Sequence, residues 1–128
     1  IQNELFNLGT VLASAGSKTS KDLPSISEND ILILEKDIDV MNKELDLLQS
    51  FILPGSNEVI LSIHLARVVC RRAERNVVSI LQKYDNLNLT LSYLNRLSDY
   101  LFVLGRFVSK KNSIKEDLWD PNNITSNK

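Results

Sequence analysis

Apolar side chains recur along most of this chain at intervals of three and four residues, the repeat that places them on one face of an α-helix. Ile1, Leu5, Leu8, Leu12 and Ala15 mark a first helix. From Gly16 to Ser27 the repeat is lost and Gly, Pro24, Ser and Lys collect, which predicts a surface loop. Ser27 followed by Asp30 has the form of a capping box with Asp in place of Glu, and Ile31, Leu34, Ile38, Met41, Leu45 and Leu48 then carry a second helix. Pro54 disfavours helical geometry at Leu53 and Gly55 permits a tight reversal, so Phe51 to Ser56 reads as an apolar connector. Val59, Ile63, Ala66, Cys70, Ala73, Val77 and Ile80 imply a third helix, interrupted at Asp85 and Asn86. A fourth runs from Leu87 to Lys110 on Leu91, Leu94, Leu97, Leu101, Leu104 and Val108, with Lys110 and Lys111 at the end where the helix dipole favours cations.

No strand pattern competes with these helices. Each stripe needs a partner stripe to leave water, so the expected fold is an all-α antiparallel helical bundle over residues 1–111, followed by a polar, mobile tail at 112–128. The chain is already helical within a few residues of Ile1, which suggests a further helix upstream.

With 128 residues, 43% of them hydrophobic, one globular domain is the expected organisation. Fifteen basic against 16 acidic side chains leave no cationic field of the kind a nucleic-acid binder carries. No apolar run approaches the ~20 residues needed to cross a bilayer. The single Cys70 forms no intrachain disulfide, which fits a reduced, aqueous compartment.

The densest chemical feature is the third helix, where Arg67, Arg71, Arg72 and Arg75 are four of the six Arg in the chain. At about 100° per residue, Arg67, Arg71, Glu74 and Arg75 share one sector and Arg72 points away. A row of guanidinium groups can hold several phosphate oxygens through charge-assisted hydrogen bonds, so a polyphosphate fits. The bland alternative is a solvated basic face, or ion pairs to the acidic second helix at Glu35, Asp37, Asp39, Glu44 and Asp46. On the fourth helix Asn95, Asp99, Phe102 and Arg106 form a second polar and aromatic stripe. Asn95 suits a phosphate, a ribose hydroxyl or a metal-bound water, and Asp99 suits an Arg of the neighbouring helix; a buried network that fixes helix register is the alternative. His64, the only histidine, excludes a multi-His metal site and a Ser-His-Asp arrangement. Cys70 reads as a small core residue. Phe51, Ile52 and Leu53 are either core plugs or apolar groups presented at the bundle's end, and spacing does not decide.

Four ordered blocks resemble the PduO-type ATP:cob(I)alamin adenosyltransferases, a family of trimeric helical bundles. They are Ile1 to Gly9, Phe51 to Gly55, Arg67 to Arg75, and Tyr93-Leu94-Asn95-Arg96-Leu97-Ser98-Asp99-Tyr100-Leu101-Phe102, which together span most of the chain. The resemblance implies transfer of the 5′-deoxyadenosyl group of ATP to the cobalt of reduced cobalamin, with release of triphosphate. It implies that Arg71, Arg72, Glu74, Arg75 and Asn95 line the ATP site, with Arg71 and Asn95 the catalytic pair and Mg²⁺ carried on the ATP phosphates near Glu74 or Asn95. Arg67 would form an ion pair across the subunit boundary, and Phe51 and Phe102 would stand on the corrinoid side, Phe51 helping to displace the lower ligand of cobalt. A homotrimer, a flavoprotein reductase and an adenosylcobalamin-dependent acceptor enzyme are the implied partners. The compartment is the cytoplasm, or the mitochondrial matrix in a eukaryote. The family's Gly- and Thr-rich segment with a Thr-Gly-Asp core is absent from these residues, so the resemblance places it upstream of Ile1. The rival readings are a non-catalytic helical module that docks an acidic partner on its arginine face and, more distantly, a corrinoid chaperone.

Overall fold

The computed structural model describes residues 1–17, 23–55, 57–84 and 87–122. They form α1 (Gln2–Ala13), α2 (Glu28–Asn42), α3 (Glu58–Ile80) and α4 (Asn88–Lys111), with a 3₁₀ turn at Leu81–Lys83. Among the described residues the chain is all-helical, and the only extended pairing is an isolated bridge between Ile52 and Leu118. The interruption expected at Asp85 and Asn86 and part of the loop expected at Gly16 to Ser27 fall outside the described residues.

Two of the four helix starts are capped by a side chain. Asp30 Oδ2 accepts from Ser27 N at 2.8 Å, and Ser27 Oγ accepts from Asp30 N at 3.4 Å, so the capping box forms with Asp as its acid. Asn57 Oδ1 accepts from the amides of Val59 and Ile60 and opens α3. The second helix stops at Asn42, six residues short of the Leu48 that the apolar repeat predicts. There the Asp46 carbonyl accepts from Arg106 Nη2 at 2.9 Å, while Lys110 and Lys111 of α4 bind the carboxylates of Asp46 and Glu44. These tertiary contacts hold the residues after Asn42 against α4.

Both α2 and α3 pack against α4. Glu74 meets Asn95, Arg67 meets Phe102 and His64 meets Gly105, so α3 and α4 run antiparallel. Glu35 meets Arg96 and Glu44 meets Lys111, so α2 lies along α4 in the same direction. The core collects Leu8, Ile26, Leu34, Cys70, Val77 and Leu87 around Tyr93, Leu94 and Leu97 of α4. On α3 the buried set is Ile60, Cys70 and Val77, whereas Val59 and Ala66 of the expected stripe are exposed. The opposite shoulder of α3 presents Leu61, Leu65, Val68 and Val69 to solvent, and a groove of about 490 Å³ runs past Leu65, Ala66 and Val69 between α3, α4 and the start of α1.

The chain beyond α4 does not simply trail off. Ser113 adopts φ 55°, Ser113 N donates to Lys110 O and Ile114 N to Ser109 O, the paired bonds of a Schellman turn. The segment then returns to the connector, where Leu53 N donates to Asp117 O and Trp119 N to Phe51 O, each at 2.7 Å.

Candidate functional site

The residues 67, 71 and 74 recur at four and three along α3 and face α4. Asn95 Nδ2 donates to Glu74 Oε1 at 2.9 Å, and Arg71 Nη1 lies 3.6 Å from Glu74 Oε2. The Glu74 side chain is only 15% exposed, so it acts as a fixed anion between an amide and a guanidinium. Arg71, Glu74 and Asn95 thus form one connected group across the α3–α4 seam. Arg72 and Arg75 are exposed on the same helix and, among the described residues, have no carboxylate within ion-pair distance.

Among the described residues, the carboxylates that the apolar repeat assigns to the second helix do not balance this arginine face. Glu35 pairs with Arg96, Glu44 with Lys111 and Asp46 with Lys110, all on α4. Asp99 does not anchor an Arg of a neighbouring helix either: its partner is Arg96 one turn earlier, at 3.0 Å. A groove of about 580 Å³ opens beside this cluster, with Glu35, Glu74, Ser92, Asn95 and Arg96 among its lining residues.

Arg67 is half-buried with its guanidinium 5.1 Å from the centre of the Phe102 ring, a cation–π contact, and its Nε is buried without a hydrogen-bond partner among the described residues. Phe102 therefore sits beneath Arg67 in the middle of α4. Phe51 stands elsewhere, at the end of the helices, 75% exposed and in edge contact with Trp119 at 5.9 Å. Of the two readings left open for the connector, presentation at the surface is the one observed for Phe51, while Ile52 is half-buried. The structure brings Arg71, Glu74 and Asn95 together and pairs Arg67 with Phe102, but it joins Phe51 to neither group.

Two features escaped the sequence. Arg106 was visible only as one member of a stripe, yet its side chain is 10% exposed, donates from Nε to Glu116 at 3.0 Å, and ties the tail to the Asp46 carbonyl. Trp119 lies in the stretch whose polar composition predicts a mobile tail. The available signal was an apolar pair, Leu118 and Trp119, standing alone in a polar stretch.

The remaining titratable groups are inert by construction. Burial pushes the Cys70 thiol up to about 11, and its Sγ is 3.2 Å from the Leu94 carbonyl. Burial, assisted by the nearby Arg67 charge, lowers the His64 pKa and keeps the ring neutral at pH 7. Among the described residues no three His, Cys, Asp or Glu side chains are placed to hold a metal ion. Both Glu74 oxygens are already engaged, by Asn95 and Arg71. The described residues at this seam thus make no site that would hold Mg²⁺ by protein side chains alone.

A family model described as cobalamin adenosyltransferase matches residues 1–108. The corrinoid adenosyltransferase of Bacillus subtilis is 40% identical over 114 residues, which cover 89% of this chain and 58% of that protein. The human corrinoid adenosyltransferase MMAB is 36% identical over 125 residues, covering 95% of this chain and 50% of that protein. This chain thus spans little more than half the length of these relatives. A variant PduO-type ATP:corrinoid adenosyltransferase from Lactobacillus reuteri, solved complexed with cobalamin and ATP, superposes with a TM-score of 0.84 at 29% identity, over 92% of this chain and 65% of that one. A family match across most of the chain, relatives above one-third identity and a shared backbone converge on one statement: the chain belongs to the cobalamin adenosyltransferase family.

Proposed function

We propose that this protein transfers the 5′-deoxyadenosyl group of ATP to the cobalt of cob(I)alamin and releases triphosphate. The observation that carries the reading is the arginine face of α3, which the acidic second helix leaves open for an external polyanion. As Co(I) attacks C5′ a Co–C bond forms, the C5′–O bond breaks, and its electron pair leaves on the triphosphate. Arg71, Arg72 and Arg75 stabilise that growing negative charge, which favours the transition state over bound ATP. Glu74 holds Arg71 in place, and Asn95 holds Glu74 through its side-chain Nδ2 while its side-chain Oδ1 and exposed position remain available to the nucleotide. Co(I) is itself the nucleophile, so no protein base is needed, in keeping with a neutral His64 and a protonated Cys70.

The corrinoid side falls to Phe51 and Phe102. Phe51, exposed at the helix ends, takes the lower face of the cobalt and excludes the axial ligand, which makes Co(II) easier to reduce. A flavoprotein reductase supplies that electron, and an adenosylcobalamin-dependent enzyme takes the product.

The working assembly is a helical bundle in a homotrimer, completed by a helix preceding this stretch. The exposed Leu61, Leu65, Val68 and Val69 and the adjoining groove are the kind of apolar surface such contacts cover. The orphaned Arg67 Nε is a donor in want of an acceptor, as an ion pair across subunits would provide. No described helix is long and apolar enough to cross a membrane, consistent with action in the cytoplasm or the mitochondrial matrix.

The test is direct. The full-length protein is incubated with ATP and chemically reduced cobalamin while the corrinoid spectrum is followed, and conversion to the adenosyl form is expected. Arg71→Ala should lower turnover by about 10²- to 10³-fold, the effect of removing one donor aimed at developing charge. An unchanged spectrum from intact trimer would exclude the enzyme and leave the docking module.

A further inference from the structure

We propose that Trp119 is a positioning residue for Phe51, and that the returning segment after α4 holds the Phe51 ring in the orientation that blocks the lower face of cobalt. The inference rests on the corrinoid role given to Phe51 above.

An aromatic side chain that is 75% exposed has little packing to select one rotamer, yet a group that must occupy a single coordination position has to be held. Here the backbone is held first. The Schellman turn at Ser113 reverses the chain, Arg106 captures Glu116, and the pair Leu53 N to Asp117 O and Trp119 N to Phe51 O clamps the connector on both sides of Ile52. Ser50 Oγ adds a bond to the Trp119 carbonyl at 2.9 Å. The side chain is held second. The Trp119 ring meets Phe51 at a centroid distance of 5.9 Å and an interplanar angle of 73°, an edge-to-face pair. Such a pair biases a rotamer population by about two- to twelve-fold. It is the one aromatic neighbour that Phe51 has among the described residues. Trp119 is itself 47% exposed, so the pair lies at the surface with the opposite side of Phe51 open to a flat ligand.

The experiment compares full-length wild type, Trp119→Phe, Trp119→Leu, Trp119→Ala and Phe51→Ala with ATP and Co(II) cobalamin bound. The readout is the fraction of Co(II) lacking its lower ligand, taken from the electron paramagnetic resonance spectrum. A second readout is kcat and KM with pre-reduced Co(I). Trp119→Phe should stay within about two-fold of wild type, since it keeps an aromatic edge, and Trp119→Leu and Trp119→Ala should lose about two- to twelve-fold of the ligand-free species. KM for ATP and the Co(I) rate should move little in all three. A fall for Phe51→Ala with wild-type behaviour in Trp119→Leu and Trp119→Ala overturns the positioning role and leaves the function intact. If Trp119→Phe falls as far as Trp119→Ala, the effect is bulk and not aromatic contact, and the proposal also fails. Wild-type spectra from Phe51→Ala would instead remove the role of Phe51 on which it rests.

Discussion

Replacing Asn95 with Asp exchanges one nitrogen for one oxygen and turns a 2.9 Å hydrogen bond to Glu74 into a contact between two carboxylates. At that separation two unit charges repel by about 1.4 kcal/mol in bulk water and about 6 kcal/mol at an effective dielectric of 20. Asn95 is exposed but the Glu74 side chain is 15% so, and the carboxylates can move apart, which places the expected penalty near 2 kcal/mol. The pair relieves the repulsion by sharing a proton, so its folded pKa is raised above the unfolded value. The stability deficit of Asn95→Asp should therefore shrink as pH falls toward the raised value and be largest above it. Urea unfolding at pH 5 and pH 8 measures this. Asn95→Ala, which loses the hydrogen bond without adding charge, should show a smaller and pH-independent deficit, and Glu74→Gln combined with Asn95→Asp should recover most of the loss. If Asn95→Asp and Asn95→Ala were indistinguishable at both pH values, the two side chains would not be in contact and the site as described would be wrong.

Other outcomes follow from the same contacts. Arg106→Met should cost about 2–3 kcal/mol, because two charge-assisted hydrogen bonds of a nearly buried guanidinium are lost. It should also increase acrylamide quenching of Trp119, the only tryptophan; unchanged quenching would show that Arg106 does not hold the tail. Cys70, pushed up to about 11 from an ordinary 9, should react with a thiol reagent about 100-fold more slowly in the folded than in the unfolded protein, and equal rates would show an open site. Ser27→Ala should cost about 1 kcal/mol at neutral pH in an unfolding titration. The Ser27 side chain and then its amide hold Asp30 below the usual carboxylate range, so the part of this difference that comes from the hydroxyl on the Asp30 carboxylate is present above about pH 4 and is lost as pH falls through the folded value. The cap bond from the Asp30 amide to Ser27 Oγ stays at every pH, so wild-type and Ser27→Ala curves should draw closer in acid, and a separation that did not narrow would refute that linkage.

Helix existence and the α4 boundaries were legible because they rest on local physics: a capping box at Ser27, the apolar repeat of Leu91, Leu94 and Leu97, and lysines at the last turn. What the repeat could not show is where a partner overrides it. Leu45 and Leu48 continue the apolar spacing of the second helix, yet the helix ends at Asn42 and the residues after it are tied to α4, by Arg106 on the Asp46 carbonyl and by Lys110 and Lys111 on the Asp46 and Glu44 carboxylates. In the same way Val59 and Ile60 are equivalent as β-branched side chains, and only the rotation of α3 on α4 decides that Ile60 is buried. The α3 cluster of Arg67, Arg71, Glu74 and Arg75 was readable because a helix converts spacing into a face. The return of Trp119 to Phe51 was not, since a pairing across 68 positions leaves no periodic trace.

Gly105 tests how tightly that α3–α4 seam is drawn. Thr90, Ser98 and Ser109 are the buried polar residues of α4, and Ser98 and Ser109 satisfy their hydroxyls on carbonyls of their own helix, so small side chains let neighbouring helices approach without leaving a polar group unpaired. Gly105 extends the same device to the end that faces Ile63 and His64. A methyl group built there would lie 3.6 Å from Ile63 Cγ2 and 3.7 Å from His64 Nε2, ordinary van der Waals distances. The glycine is thus not demanded by space, and its backbone freedom is a net cost in the middle of a helix. Gly105→Ala should stabilise the fold by about 0.5–1 kcal/mol, read as a shift of the urea midpoint to higher concentration with no change in slope. Destabilisation would mean that α3 and α4 stand closer than described. Because Arg71 and Asn95 are placed by that same separation, the registry of the proposed ATP site would have to be redrawn with it.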